Sequence, residues 1–340
     1  MKPAVFLALS ALAAAALVAA IFVWPRQEGV TVYCAVDDVH AIPVLDAFEA
    51  ETGIHVHREF DTEANKTVGL VQRLREERAR PRADVFWNNE ILHTIRLAKE
   101  GVLEPYDSPS AADIPAYFRD PERRWTGIAA RARILIVNTE LVPEDRRPKS
   151  MKDLVDPEWR TRTSFVRPLT GTTLTHACAL YSVLGAEGAR TWFRGLFDNG
   201  AIFPGGNARL AEMVARGQSA FGFTDTDDYE KVRAEGRPVA RVFPDQGEGE
   251  PGTLLIPNTV ALVHGGPRPD LGKRLVDFLL TERVEELLAH GDGAQIPVRA
   301  SVRRPANVVG PPDYRVMQVD WSDVVLHFDE RLKELEAFWE

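Results

Sequence analysis

Residues 30–60 read VTVYCAVDDVHAIPVLDAFEAETGIHVHREF. VTVYCAV is a strand-like run. In the next stretch Ile42, Leu45 and Phe48 fall on one helical face and Gly53 supplies a stop. IHVHREF is a second strand. This strand–helix–strand succession continues: ANKTVGLVQRLREERA and ILHTIRLAKEG read as helices on either side of the strand ADVFW. Such alternation calls for a mostly parallel sheet covered by helices on both faces, an α/β fold. The pattern resumes with GIAARARILIVN, TSFV, LTHACALYSVLG, ARLAEMVARG and SAFGF, and then TVALV, LGKRLVDFLLT and VEELLAHG. There are no internal repeats or low-complexity stretches. The Pro- and Gly-rich piece FPDQGEGEPGT, residues 243–253, is the clearest candidate linker.

Upstream of this pattern, Lys2 precedes an almost uncharged apolar run from Ala4 to Trp24, broken by Pro25 and Arg26. It predicts an export signal over residues 1–29, either a cleaved signal peptide or an N-terminal membrane anchor. Cys34 lies inside a strand, so no cysteine stands where a lipoprotein would need one. The two cysteines, Cys34 and Cys178, fall in segments expected in different lobes and read as buried thiols, not a disulfide. With 45% hydrophobic and 27% charged residues the chain is globular and large enough for two domains. Its formal charge is -9, and removing residues 1–29 takes away Lys2, Arg26 and Glu28 to leave -10. That balance makes nucleic acid a poor partner.

Ligands of open α/β sheets bind beyond the carboxyl ends of the strands. The loops there hold Asp37 and Asp38, then Asn89 and Glu90, then Thr170, Gly171, Thr172 and Thr173, then Asn207, and last the cluster Asp225, Asp227 and Asp228 within FGFTDTDDYEKV, residues 221–232. The acidic members make a cation-seeking wall. The threonine run and Asn207 place hydroxyls, an amide and free N–H groups at helix starts, which suits an anion. Each also has a structural reading. Asp38 and Asn207 are good N-caps, LTGTT is an ordinary helix start, and Asp227 with Glu230 has the spacing of a capping box on a helix that Gly236 ends. Three adjacent carboxylates repel one another, however, and only one is needed as a cap.

Catalytic signatures are absent: the chain has no Walker P-loop, HExxH or GxSxG. A twelve-residue calcium loop counted from Asp225 ends on Gly236, where a Glu is needed. DxD-type carboxylates do serve some secreted metal-dependent hydrolases and transferases, which keeps that class as an alternative. His55 and His57 share one face of a strand, an exposed face in the common case.

Taken in order, VTVYCAVDD with AFEAETGI, ADVFWNNE with LAKEGVLEPYDSP, FVRPLTGTTLTHACAL, FPGGNARLAEMVARGQSAFGFTDTDD, and GTLLIPNTVALVHGGPRPDLGKRLVDFLL resemble the ferric-iron-binding branch of the bacterial extracellular solute-binding proteins. The resemblance spans about residues 30–300. It implies the two-lobed type 2 periplasmic-binding-protein fold, joined by a two-strand hinge at GIAARARILIVN and GTLLIPNTVALV. Lobe 1 is then 30–130 plus 256–310, lobe 2 is 131–255, and 311–340 is a C-terminal helical segment packed on the lobes. The implied role is solute capture for an ABC importer, by a periplasmic or extracytoplasmic monomer that docks on a membrane permease. No cofactor is implied; ferric iron or another metal is the transported ligand.

Iron-binding members carry a His or acidic ligand after the first strand, a Glu near the third, and a tyrosine pair after the strand matching SAFGF. Here these positions match Asp37, Asn89 with Glu90 beside it, and Asp227 with Asp228. The phenolates are missing, and Tyr229 is a secondary candidate. The resemblance implies a synergistic-anion site at Thr170–Thr173 with Asn207. Carboxylates suit hard cations too. Phosphorylated sugars, phosphonates and polyamines, the ligands of other members, remain the alternative.

Overall fold

The computed structural model of the chain describes residues 29–61 and 68–339. The expected export signal therefore lies outside the described residues, as does the start of the helix expected from residue 64. The opening motif forms as read: β1 (Gly29–Cys34), α1 (Asp38–Thr52) and β2 (His55–Phe60), with β2 parallel to β1. Gly53 ends α1 with a φ of 68°, in the left-handed region where glycine carries no Cβ penalty. Phe48 is fully buried and meets Phe278 edge-on with ring centroids 5.4 Å apart. Each such side chain contributes roughly 1.5–3 kcal/mol of burial.

Helix α2 (Val68–Glu76), β3 (Val85–Asn88), α3 (Leu92–Lys99) and the short β4 (Leu103–Glu104) follow. The next strand, β5 (Thr126–Asn138), is 13 residues long and buried throughout. Beyond it come β6 (Thr163–Phe165), α4 (Gly171–Asp198), α5 (Asn207–Ala215), β7 (Phe221–Asp225), α6 (Thr226–Ala234), β8 (Val239–Val242) and β9 (Leu255–Val263). Helix α4 is interrupted at Gly185, whose φ of 73° breaks the regular run.

The strand order is β2-β1-β3-β9-β5-β7-β6, with β4 on β9 and β8 on β5. β1 pairs in parallel with β2 and β3, and β6 with β7. Every pairing made by the two long strands β5 and β9 is antiparallel. β5 lies along β9 through its first half and along β7 and β8 through its second, so it crosses from one lobe's sheet to the other's. A bulge interrupts the β5–β9 register between Ile128 and Ala130, and Ala129 there has a φ of 37°. The displaced Ala129 N–H donates to the buried carboxylate of Glu285 at 3.0 Å, which keeps the bulge's polar backbone paired.

Helices α7 (Pro269–Leu279) and α8 (Glu282–His290) cover the first sheet. The expected C-terminal helical segment contains two helices, α9 (Trp321–Leu326) and α10 (Phe328–Ala337), with His327 between them. They touch both lobes. Arg96 of α3 pairs with Asp329 at 2.9 Å and stacks over the Phe328 ring, while Tyr181 and Arg190 of α4 both bond Glu334.

Two sequence expectations need correction. Residues 243–253 are no loose linker: Asp245 accepts the Ser150 hydroxyl and the Met151 N–H, and the Arg315 guanidinium gathers the carbonyls of Asp245, Gly247 and Glu250. In the basic stretch Val298–Arg304, where arginines would ordinarily be expected in solvent, Arg299 is buried between Glu285 and Asp113, because a guanidinium there can bond two carboxylates and two carbonyls at once. Cys34 and Cys178 are free and buried, and burial pushes both thiols up. No described helix is long and apolar enough to cross a membrane.

Candidate functional site

The carboxyl ends of β1, β3, β6 and β7 open on one cleft, a cavity of about 1050 Å³. Its lobe 1 wall carries Asp37, Asp38, Asp61 and Asn89. Its lobe 2 wall is formed by the starts of α4 and α5, from Thr170 to Thr173 and from Gly205 to Asn207. Asp225, Asp227 and Asp228 lie between them, and each offers a carboxylate oxygen within 4.8 Å of the others.

Two arginines on the crossing strand lie beneath this cluster. Arg133, with no exposed surface, donates from Nη1 to Asp225 at 2.8 Å, and its guanidinium lies 4.8 Å over the Phe223 ring. Asp225 Oδ2 also accepts the Thr172 hydroxyl at 2.5 Å and the Asn207 amide at 3.2 Å. Thr173 in turn donates to Asn207 Oδ1 at 3.2 Å. Asp225 is thus built into a closed polar network, as a buried charge must be.

Arg131 stands two residues earlier on the same face of β5. Its Nη1 lies 3.5 Å from Asp227 Oδ2, and its Nη2 donates to the Asn89 carbonyl and to Asn258. Burial works against its charge, but Asp227, Asp225, Asp37 and Asp228 outweigh burial and raise its pKa. Asp227 is pushed up chiefly by burial, with Asp225 and Asp37 adding to the rise and Arg131 and His40 opposing it. Asp228 accepts the Thr224 hydroxyl at 3.0 Å.

The family described as "Bacterial extracellular solute-binding protein" matches residues 89–325. The chain belongs to this family. Among curated relatives, iron uptake protein A1 of Synechocystis is 28% identical over 75% of this chain and 71% of its own length. The major ferric iron-binding protein of Neisseria meningitidis is 26% identical over 82% of both chains. A ferric binding protein from Campylobacter jejuni superposes with a TM-score of 0.81 at 22% identity, over 91% of this chain and 99% of that one. At that identity the likeness speaks for the two-lobed fold.

In this solute-binding protein the cleft gathers Asp37, Asp38, Asn89, Thr170, Gly171, Thr172, Thr173, Asn207, Asp225, Asp227 and Asp228, which the sequence had placed on separate loops. Two expected ligands are elsewhere. Glu90 is buried and does not line the cavity: its carboxylate accepts the N–H groups of Leu92 at 2.6 Å and His93 at 3.0 Å, closing the start of α3, and the Thr175 hydroxyl at 2.9 Å. Tyr229 is also buried away from the cavity, its ring under the Arg241 guanidinium at 5.4 Å, because the helical turn from Asp227 swings it to the core side.

The capping readings are corrected as well. α6 begins at Thr226, one residue before the expected cap, and Glu230 turns to Arg233, Arg241 and Asn307 instead of the helix start. Helices α1 and α5 are preceded by Asp37 and Gly206, so Asp38 and Asn207 are first-turn residues, not caps. His55 and His57 pack edge to face at 4.7 Å on β2, outside the cavity lining. Sequence reasoning missed Arg131, Arg133 and Asp61, and on the lobe 2 side Arg167, Arg209 and Lys231, which line the cavity.

Proposed function

We propose that this protein is the capture component of an ABC importer, taking ferric iron or another hard metal cation together with an anion and delivering both to a membrane permease. The observation that carries this reading is the convergence of Asp225, Asp227 and Asp228 on one point of the interlobe cleft. Asp227 and Asp228 would meet the cation, with Asp37 approaching from lobe 1, and the helix starts at Thr170–Thr173 and Asn207 would meet the anion. The names of the relatives, iron uptake and ferric iron-binding proteins, agree with it. In this reading the protein works as an exported monomer, cleaved or anchored at its N-terminus. Lobe 1 is 30–130 plus 256–310, lobe 2 is 131–255, and no resident cofactor or catalytic step takes part.

A second reading is favoured by Arg131 and Arg133. Together they cancel two of the three carboxylates formally, leaving a floor with one net negative charge, which complements an ammonium better than a trivalent ion. The ligand would then be an amine-bearing phosphonate or phosphate ester. A thermal-shift screen of the exported domain separates the two, since a cleft ligand stabilises the folded protein by mass action. The metal reading expects a rise in melting temperature with ferric citrate that Asp227→Ala and Asp228→Ala abolish. A rise only with a metal-free organic phosphate or amine would favour the second reading.

A further inference from the structure

The lobe 2 side of the cleft carries more positive charge than a small inorganic anion needs. Arg167 precedes α4, Arg209 lies in the first turn of α5, and Lys231 lies on α6; all three line the cavity. None of the three side chains has an ion-pair or hydrogen-bond partner among the described residues. Between them the wall is bare backbone. A Cβ built on Gly171, Gly205 or Gly206 would meet nothing within 4 Å, so the wall faces open space there. The first N–H groups of α4 and α5, which have no acceptor inside their own helices, belong to this surface. Below it the buried Arg131 has an Nε–H with no acceptor.

Two of the hydroxyls and the amide expected to hold an anion are engaged elsewhere. Thr172 and Asn207 donate to Asp225, and Thr173 to Asn207. What the wall offers a ligand is therefore cationic side chains and backbone N–H groups spread over two helix starts and a third helix. Size points the same way. A cavity of about 1050 Å³ is at the upper end of sites for organic molecules, roughly 300–1,000 Å³, far above what a metal ion and an inorganic oxyanion fill.

We infer that the anion carried with the cation is an organic acid bearing two or more negative charges, and that Arg167, Arg209 and Lys231 hold its outer charges. The inference rests on reading the cleft as a cation-and-anion site. The acid's inner groups share the cation with Asp227 and Asp228, and its outer groups reach the cationic wall.

The test is titration calorimetry of the full exported chain with ferric citrate, with ferric ion plus bicarbonate, with ferric ion plus inorganic phosphate, and with citrate and 2-aminoethylphosphonate free of metal. The variants are Arg167→Ala, Arg209→Ala, Lys231→Ala and the triple. All three side chains are exposed, so their melting temperatures should match the unsubstituted protein. The expected result is tightest binding of ferric citrate, weakened about five-fold by each single change and about a hundredfold by the triple. Binding of a metal-free organic anion that is weakened by the same variants supports the cationic wall while removing the metal reading. The inference is overturned if bicarbonate or inorganic phosphate supports ferric binding as well as citrate does, if the triple variant binds like the parent, or if no organic anion binds.

Discussion

Arg131 Nη1 and Asp227 Oδ2 face each other across 3.5 Å, a cation from the crossing strand and an anion from the first turn of α6. The pair is loose enough for a cation to enter beside Asp227. Arg131 is held independently by the Asn89 carbonyl and Asn258, so it does not need Asp227 to stay in place. Because burial disfavours the Asp227 charge, the Asp227→Asn variant should therefore show none of the 3–5 kcal/mol loss typical of breaking a fully buried pair. Urea denaturation monitored by tryptophan fluorescence would show it.

The same residue sets a pH dependence. Burial raises the Asp227 pKa above the ordinary aspartate range, so protonation competes with a bound cation at a higher pH than usual. Affinity for ferric citrate should start to fall, on acidification, above the pH where an exposed carboxylate titrates. In the ligand-free protein the sign reverses: the folded state binds this proton more tightly than the unfolded chain. The residue's contribution to stability thus declines as pH rises through that window. Calorimetric titrations over a pH series, on the parent and on Asp227→Asn, would reveal no difference in pH profile if Asp227 plays no part.

Arg133 and Asp225 form the tighter pair, with neither side chain more than marginally exposed. Arg133→Met leaves the Asp225 charge with only Thr172 and Asn207 and should cost about 3–5 kcal/mol. Adding Asp225→Leu should recover most of that loss. A double-mutant cycle of denaturation midpoints measures both; an additive cycle would exclude the pairing.

His176 is fully buried against Phe223, ring centroids 4.8 Å apart, and neither of its nitrogens has a hydrogen-bond partner among the described residues. Burial, helped by the nearby Arg133 charge, holds its pKa well below the usual histidine value. The unfolded chain therefore takes up a proton that the folded chain refuses. Stability should drop by about 1.4 kcal/mol per pH unit as pH falls below about 6.5. His176→Leu should remove that slope, read from urea midpoints at pH 7 and pH 5, and be at least as stable at pH 7.

Glu285 has no exposed surface and gathers the N–H groups of Ala129 at 3.0 Å and Val298 at 2.7 Å with the Arg299 guanidinium at 3.1 Å. Glu285→Ala strips one of the two carboxylates from the buried Arg299 and leaves the Ala129 and Val298 N–H groups without this acceptor. It should destabilise by about 3–5 kcal/mol without altering which ligand is preferred, as a melt and a ligand screen would show.

Much of the frame was readable because it depends on local pattern. The β1–α1–β2 unit follows from the spacing of Ile42, Leu45 and Phe48 and from Gly53, whereas the crossing strands came from the family resemblance. The cleft chemistry was only half readable. Asp225, Asp227 and Asp228 announce themselves by crowding, whereas Arg131 and Arg133 are hidden in AARARILI. Two arginines at alternate positions of an apolar strand share a face, and buried guanidiniums demand carboxylates nearby. That signal was available, and TDTDD is its complement. Glu90 and Tyr229 were beyond reach for another reason: which way each points depends on where a helix starts, a matter of one residue. The burial of Arg299 is set by a distant partner, Glu285, that no local window contains.

Helices α9 and α10 rest on α3 in one lobe and α4 in the other, through Arg96 with Asp329 and Phe328 on one side and Glu334 with Tyr181 and Arg190 on the other. Beyond the two crossing strands, the lobes are therefore held by this noncovalent clasp, to which Thr175 with Glu90 and Asn307 with Glu230 add direct bonds. Two strands alone leave freedom to twist as well as to bend. Attachment outside those strands resists a twist of one lobe against the other, and so favours a single alignment of the wall bearing Asp37 with the wall bearing Thr170.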